Sequence, residues 1–302
     1  MMKVIYGINR IRGFKKPVVA MGVFDGLHLG HRQILQAAAR KARAIGGTSV
    51  VLTFWPHPQK KESLYSLEHR LRLIAGLGID VCVVINFNQK FARLSAEDFI
   101  KRVLAGKIKA RYIFVGRNFR FGRNARGGRQ TLKKFSRLYN FKLKLFSMLK
   151  TKNKPISSTY IRAMIKRGDI ARAGALLGRP VSILGTVIKG SSLGARLGFP
   201  TANINPHHEV IPQDGIYAVK IIYNKQKFPG VCSIGTKPTF TAQQKKYIEA
   251  HIFNFRKNIY GRYLEIQFIK RIRGQKKFAS SCALTRQVKK DIVFAKRLFS
   301  RL

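Results

Sequence analysis

The sequence predicts two folded domains: an α/β domain with a parallel sheet over residues 1–179, then an all-β barrel or sandwich over residues 180–302. Up to residue 178, apolar strand-like runs alternate with helical runs. Beyond it, short β-like runs follow one another with turn signals between them, and a single helical run ends the chain. A length of 302 residues also suits two domains of ordinary size.

In the first half, four runs of apolar and β-branched residues predict buried parallel strands, and helical runs separate them. The strands are predicted over residues 17–24 (PVVAMGVF), 46–54 (GGTSVVLTF), 80–87 (DVCVVINF) and 110–116 (ARYIFVG). The helices are predicted over residues 32–44, 66–78, 95–106 and 156–178. Ser95 begins a Ser-x-x-Asp capping pattern, and a Ser-Ser-Thr run opens the last helix.

In the second half, the β-like runs are short and separated by turn residues, which is typical of an all-β domain. They cover residues 181–190, 214–224, 228–235, 246–255 and 264–274. A last helix is predicted over residues 284–299, where apolar residues recur at helical spacing from Leu284 to Phe299.

The charge is unusual, with 60 Lys and Arg against 12 Asp and Glu, a formal net charge of +48. Such a charge attracts anions, including nucleotides and nucleic acids. It is compatible with a nucleic-acid-binding protein, or with a compositional drift in which cations cover solvated faces. The spread of basic residues along the chain favours the drift. Because carboxylates are scarce, each one is a candidate for a specific role.

The sequence contains no apolar run long enough to span a bilayer and no pattern of a secretory signal peptide, so no membrane association is expected. Its cysteines, Cys82, Cys232 and Cys282, are scattered and odd in number. This usage favours a reducing cytoplasm over a disulfide framework.

Residues 21–35 (MGVFDGLHLGHRQIL) place His28 and His31 where the first strand passes into a helix. Three interpretations apply: a zinc site with His57, a pair of core histidines, or a phosphate site. Phosphate is favoured because a helix start offers unpaired N–H groups and because Gly26 and Gly30 let a ligand approach the backbone. The zinc interpretation lacks an acidic or cysteine ligand beside the pair.

The His-x-Gly-His pattern after a strand resembles the motif of the nucleotidylyltransferase superfamily. Class I aminoacyl-tRNA synthetases share this motif. Residues 53–58 (TFWPHP), 115–122 (VGRNFRFG) and 156–162 (ISSTYIR) narrow the resemblance. Their order and spacing resemble those of the bacterial bifunctional riboflavin kinase/FAD synthetase family. The lysine-serine-lysine signature of the synthetases is not seen.

For the first half, the resemblance implies a Rossmann-like domain that transfers AMP from ATP to FMN and releases pyrophosphate. His28 and His31 would hold phosphates, Arg162 would neutralise developing charge, and Asn118 would contact flavin or nucleotide. The further ATP- or phosphate-binding candidates are Gly22, Phe24, Asp25, Gly30, Ser157, Ser158 and Thr159. Three alternatives stay open: the serines and Thr159 as an ordinary helix cap, Asn118 as a turn residue, and Asp25 as a loop, ribose or magnesium contact.

In the second half, residues 193–205 (LGARLGFPTANIN) contain a Pro-Thr-Ala-Asn run that resembles the riboflavin kinase motif. Further matches follow in order at residues 214–219, 233–240 (SIGTKPTF), 248–255 and 260–268, and at Lys277-Phe278. The resemblance thus extends over nearly the whole chain and implies a barrel that transfers phosphate from ATP to riboflavin.

Glu249 matches the family's catalytic Glu and would accept the proton of the riboflavin hydroxyl. Thr201 and Asn203 are oxygen donors suited to Mg²⁺. Gly190, Gly194 and Gly198 would let a loop cover ATP. The alternatives are a solvent-facing Glu249, which shares a strand face with His251, and a locally bonded turn at Thr201 and Asn203.

The sequence departs from the family pattern in two places. The usual Gly-Arg pair reads Gly194-Ala195, with Arg196 one position later, and the usual Arg-Pro-Glu reads Arg273-Gly274-Gln275. The favoured hypothesis is a cytoplasmic enzyme that makes FMN and then FAD. The rivals are an RNA-binding protein on the same scaffold and an enzyme that keeps only one of the two activities.

Overall fold

The computed structural model describes residues 1–58, 62–190, 193–207, 209–237 and 245–301. Contacts divide the chain into two compact units. The first comprises Met1–Ser63 and Leu67–Ser158, and the second comprises Leu64–Ser66 and Thr159–Leu302. The predicted domains meet at residue 180, whereas this division lies at residue 158. Residues 159–179 therefore count with the second unit by their contacts.

The first unit contains a parallel sheet of six strands in the described residues. They are β1 (Lys3–Tyr6), β2 (Val18–Met21), β3 (Ser49–Trp55), β4 (Val81–Asn86), β5 (Tyr112–Gly116) and β6 (Lys142–Phe146), in the order β1-β4-β3-β2-β5-β6. The four predicted strands are confirmed, and they are the central ones. The two edge strands were missed because exposed residues interrupt their apolar pattern.

The helices of the first unit connect and cover these strands. They are α1 (Leu29–Ala44), α2 (Leu67–Ala75), α3 (Gln89–Ala92), α4 (Ala96–Asp98, continued by a π-helix over Phe99–Lys107) and α5 (Arg129–Leu138). Short 3₁₀ turns cover Ile8–Arg10 and Arg123–Ala125. Apolar side chains are buried on both faces of the sheet. The predicted cap is confirmed, since Ser95 Oγ accepts the Asp98 N–H at 2.9 Å.

Between residues 156 and 178 the sequence predicted one helical segment, and this was wrong in one respect. The structure forms two helices, α6 (Ser158–Lys166) and α7 (Ile170–Leu177). They separate at Gly168, whose φ of +81° is a left-handed conformation that ends a helix. A short hairpin, β7 (Lys150–Thr151) and β8 (Lys154–Pro155), precedes them.

In the second unit, the described residues form a closed antiparallel barrel of six strands, so the barrel is confirmed over the sandwich. They are β9 (Val181–Ile188), β10 (Ala202–Asn205), β11 (Gly215–Tyr223), β12 (Gln226–Lys237), β13 (Lys245–Ile252) and β14 (Tyr263–Arg273), in the order β10-β13-β12-β11-β14-β9. A short helix, α8 (Leu193–Arg196), precedes β10. Residues 238–240, the end of the SIGTKPTF match, lie outside the described residues.

The predicted C-terminal helix is confirmed as α9 (Ser281–Phe299), which begins where Ser280 Oγ accepts the Ala283 N–H. It is anchored to the barrel by Asp291, which binds the Arg273 guanidinium of β14 through three contacts of 2.7–3.1 Å. None of the described helices is long and apolar enough to cross a membrane.

Glu209 is a buried carboxylate, 2% exposed, in the loop that follows β10. Its Oε1 accepts the Ser66 backbone N–H at 2.9 Å and its Oε2 accepts the Leu184 N–H at 3.0 Å. One side chain thus holds residues 64–66 against β9 within the second unit.

We predict that Glu209→Gln lowers the free energy of unfolding by about 1–3 kcal/mol, because the new amide can accept only one of these two buried N–H groups. Urea denaturation followed by circular dichroism measures the change. Glu68→Gln is the matched control, because Glu68 pairs with Arg72 in an exposed i,i+4 contact and its loss costs at most about 0.5 kcal/mol. Equal effects of the two substitutions would contradict the role given to Glu209.

Candidate functional site

The two histidines of the first unit meet where β2 passes into α1. His28 is the N-cap of the helix, and its Nδ1 accepts the His31 N–H at 3.4 Å. The two imidazole rings stack with their centroids 3.7 Å apart, and Phe24 packs edge-on against His31 at 5.4 Å. The described residues contain no group of three His, Cys, Asp or Glu side chains placed to hold a metal. Both imidazoles thus lie together at a helix start.

The loop before α1 has a tight backbone that its residue types explain. A Cβ at Gly22 would lie 2.9 Å from the Phe24 ring, and a Cβ at Gly30 would lie 3.3 Å from the His28 ring. Phe24 and Leu27 adopt positive φ values of 51° and 41°. Residues held in this region cluster at functional sites, because the surrounding structure must stabilise them.

Arg70 of α2 is a buried cation beside this loop that the sequence analysis did not single out. It is fully buried, and its Nη1 donates to the Val23 carbonyl at 3.0 Å and to the Phe54 carbonyl at 3.3 Å. Its Nη2 lies 3.9 Å from the buried carboxylate of Asp25. Burial lowers the pKa of Arg70, and the Asp25 charge opposes this shift. The guanidinium group therefore joins the ends of β2 and β3 to the loop.

A signal for Arg70 is present in the sequence. Leu67, Leu71 and Ile74 form the apolar face of the predicted helix, and Arg70 lies on the same face. A cation on a buried face needs hydrogen-bond acceptors, which here are the carbonyl groups at the strand ends.

The remaining candidates of the adenylyl-transfer site lie on two elements. Ser158, at the start of α6, donates its hydroxyl to the Asp25 carbonyl at 2.6 Å, so it contacts the same loop. Thr159 and Arg162 also lie in α6 and belong to the second unit. Asn118 is exposed after β5, and its amide donates to Met148 Sδ at 2.8 Å. The structure thus brings Ser158 to the loop before α1 and places Asn118 on the surface.

In the barrel, strand register brings the kinase candidates together. Asn203 of β10 lies directly opposite Glu249 of β13, and Ser233 of β12 lies opposite Glu249 on the other side. Glu249 is half-buried, as is Asn203. The turn interpretation was wrong for Asn203, because Ala202–Asn205 is a strand that pairs with both β9 and β13.

Two glycines lie against the proposed oxygen donors. A Cβ at Gly190 would overlap the Asn203 side chain, and a Cβ at Gly194 would lie 3.1 Å from Thr201 Oγ1. Gly198 has a φ of +85°, which a residue with a side chain rarely adopts. The loop between β9 and β10 therefore depends on glycine where it meets Thr201 and Asn203.

Cys232 is fully buried in β12, opposite Ala250. Burial raises the pKa of its thiol, and the negative charge of Glu249 raises it further. The Cys232 side chain is therefore a protonated thiol at neutral pH.

The two departures from the family pattern have clear structural places. Ala195 and Arg196 are exposed at the end of α8. Gln275 donates its amide to the Ile234 carbonyl at 2.8 Å, a bond that a carboxylate cannot make. Arg273 binds Asp291. Both polar side chains of this segment, Arg273 and Gln275, therefore have hydrogen-bond partners without the family's Glu.

Comparisons with known proteins match the two halves of the chain to two different enzyme families. A family model described as FAD synthetase matches residues 12–160, and one described as riboflavin kinase matches residues 177–299. A protein of Buchnera aphidicola subsp. Schizaphis graminum is 38% identical over 99% of both chains. A protein of Bacillus subtilis is 37% identical over 95% of this chain and 94% of its own. Both are named bifunctional riboflavin kinase/FMN adenylyltransferase.

The fold also matches a solved structure over its whole length. A crystal structure from Streptococcus pneumoniae, titled a macrolide-efflux protein, superposes with a TM-score of 0.84. It is 29% identical and covers 96% of this chain and 97% of its own. With both family models and the near full-length relatives, the chain belongs to the bifunctional riboflavin kinase/FMN adenylyltransferase family.

Proposed function

We propose that the barrel phosphorylates riboflavin with Glu249 as the general base, and that the sheet edge around His28 and His31 adenylylates the resulting FMN. ATP is the co-substrate of both reactions. The observation that supports the proposal is the cross-strand pairing of Asn203 with Glu249, because a neutral oxygen donor and a carboxylate then lie side by side on neighbouring strands. The FMN adenylyltransferase is assigned to residues 1–179 and the riboflavin kinase to residues 180–302.

In the kinase reaction, the 5′-hydroxyl of riboflavin attacks the γ-phosphorus of ATP, the bond to the bridging oxygen breaks, and ADP leaves. Glu249 accepts the hydroxyl proton as the new bond forms. Gly190, Gly194 and Gly198 let the loop between β9 and β10 cover the nucleotide. Position and charge neutralisation supply the catalysis, since phosphoryl transfer needs no covalent help from the protein.

Mg²⁺ fits the donors at this site. Thr201 and Asn203 offer neutral oxygen atoms, the ligand type that Mg²⁺ prefers together with phosphates. Both side chains meet the glycine loop, which supports a shared site with the nucleotide. When bound, the ion would neutralise phosphate charge.

In the adenylylation, an oxygen of the FMN phosphate attacks the α-phosphorus of ATP and pyrophosphate leaves. His28, His31 and the N–H groups at the start of α1 hold the phosphates. The loop before α1 is shaped by Gly22, Phe24, Asp25 and Gly30. Hydroxyl groups come from Ser157, Ser158 and Thr159. Arg162 neutralises developing charge, and Asn118 contacts the flavin. Arg70 positions the loop through Val23 and Asp25.

The three cysteines are free thiols, which supports a reducing cytoplasm as the place of both reactions.

The first experiment is a time course of purified protein with riboflavin, ATP and Mg²⁺, with the flavins separated by chromatography. FMN followed by FAD is expected. FMN alone, or FAD only from added FMN, would show that one half has lost its activity.

Glu249→Gln is expected to lower the rate of FMN formation by about 10²–10⁴-fold, because the amide cannot accept the hydroxyl proton. Conversion of added FMN to FAD is expected to continue at the wild-type rate. Glu265→Gln, a half-buried Glu of β14, is the matched control. Normal FMN formation by the Glu249 variant would rule out its role as the base.

The double substitution His28→Ala, His31→Ala is expected to do the reverse: FAD formation from FMN falls at least about 100-fold while FMN formation continues. His57→Ala separates the phosphate role from the zinc interpretation, because a zinc ligand would be needed as much as the pair. Equal loss in both variants would favour the metal, and FAD synthesis that survives the double substitution would remove both roles.

Arg70→Lys keeps the charge but loses the planar fork, so it cannot hold the Val23 and Phe54 carbonyls and face Asp25 together. We expect kcat/KM of FAD formation to fall about tenfold, with FMN formation unchanged. Arg72→Lys, on the exposed side of the same helix, is the control. Equal loss of both activities in the Arg70 variant would indicate general destabilisation and contradict a positioning role.

A further inference from the structure

Arginine recurs at every third position through the loop that follows β5, at Arg117, Arg120, Arg123, Arg126 and Arg129. All five are exposed. Arg129 is the first residue of α5, and the helix adds the exposed cations Lys133, Lys134 and Arg137 at other spacings. We call these eight side chains the arginine surface. The sequence contains no Asp or Glu between Asp98 and Asp169, so no acid lies near this segment along the chain.

The backbone under the arginine surface is fixed by packing. Phe121 and Gly127 form a β-bridge that closes the loop. A Cβ at Gly122 or Gly127 would lie 2.6 Å from an atom of Ala96, so the loop is pressed against the start of α4. A Cβ at Gly128 would lie 2.9 Å from Arg120 Nη1, which places that guanidinium group beside the start of α5.

The cations on α5 form a stripe. Arg129, Lys133 and Arg137 follow at four-residue intervals, which places them on one face of the helix. The stripe runs about 12 Å along the helix axis. One strand of a nucleic-acid duplex presents about three phosphates over that distance.

These charges lack a counter-charge in the part of the chain that the structure describes. Within the described residues, none of the eight side chains forms an ion pair with a carboxylate. Like charges at four-residue spacing repel one another, so the surface destabilises the fold unless an external anion neutralises it. The even spread of charge that the sequence analysis favoured does not describe this segment.

We propose that the arginine surface binds the phosphodiester backbone of a nucleic acid without sequence preference. Arginine dominates it, and its planar fork binds phosphate oxygens through two hydrogen bonds. A membrane surface fits less well, because interfacial binding needs a band of exposed apolar side chains. Among the described residues 117–138, a single large aliphatic side chain, Leu138 at 69%, is strongly exposed, which does not make such a band. Arg117 and Arg120 flank Asn118 of the proposed adenylylation site, whereas the helix stripe of Arg129, Lys133 and Arg137 contains none of the residues proposed for either enzymatic site.

The test measures binding of the full chain to fluorescently labelled 20-nucleotide RNA and DNA of the same sequence, by anisotropy over a series of salt concentrations. The variant is Arg129→Gln, Lys133→Gln, Arg137→Gln, on the helix stripe. We expect its affinity at low salt to fall more than about tenfold and its salt slope to fall by about 2, because three phosphate contacts are lost at about 0.7 each. Comparable loss with both probes indicates backbone recognition.

The matched control is Arg286→Gln, Lys290→Gln, Arg297→Gln, which removes the same charge from an exposed face of α9. We expect less than about a threefold change from this control, because it alters only the overall field. Both variants are expected to keep FMN and FAD formation and the wild-type melting temperature, which excludes misfolding.

Equal losses in the two variants would overturn the proposal, because net charge alone would then explain the binding. No binding of either nucleic acid, or an unchanged affinity in the α5 variant, would also overturn it. Vesicles of phosphatidylserine are the last arm. Binding to vesicles without binding to nucleic acid would assign the surface to a membrane instead.

Discussion

The scarcity of carboxylates is the constraint on which much of this fold depends. With 12 acidic residues against 60 basic ones, carboxylates are few, and three of them join elements that are distant in sequence. Asp80 accepts the Ser49 N–H at 2.8 Å and its hydroxyl at 2.7 Å, which joins β4 to β3. Glu209 binds residues 64–66 to β9, and Asp291 binds α9 to β14. Each contact is charge-assisted, which strengthens it, and the carboxylates of Glu209 and Asp291 are also buried.

The loop before α1 contains one of these few carboxylates, Asp25, and a buried cation compensates its charge. Asp25 is buried, and Arg70 is a buried basic residue that faces it at 3.9 Å. An isolated carboxylate in this position would be costly, since an uncompensated buried charge destabilises the fold. Arg70 therefore compensates Asp25 and at the same time saturates the carbonyl groups of Val23 and Phe54. The candidate phosphate site is shaped by this pair, although neither side chain needs to touch the phosphate.

In the parallel sheet, the strands that are buried on both faces were predictable from the sequence, and the two edge strands were missed. Strands β2 to β5 have continuous apolar runs, whereas β1 has exposed residues at both ends and β6 alternates with exposed lysines. The histidine pair was predictable because a helix start has its own chemistry. The pairing of Asn203 with Glu249 was not, because 45 intervening residues separate them and only barrel register sets their contact. A shift of one residue would turn Asn203 to the opposite face.

The two candidate sites differ in where positive charge comes from. At the sheet edge the protein supplies imidazoles and helix N–H groups, all donors to phosphate. In the barrel, Thr201 and Asn203 are neutral and Glu249 is acidic, so these candidates supply no positive charge to a triphosphate. A divalent ion that arrives with ATP would complete the site, because oxygen donors beside a carboxylate suit a metal better than a bare phosphate. Under the proposed function, the positive charge that neutralises the triphosphate at these candidates would therefore come from the divalent ion rather than from Thr201, Asn203 or Glu249.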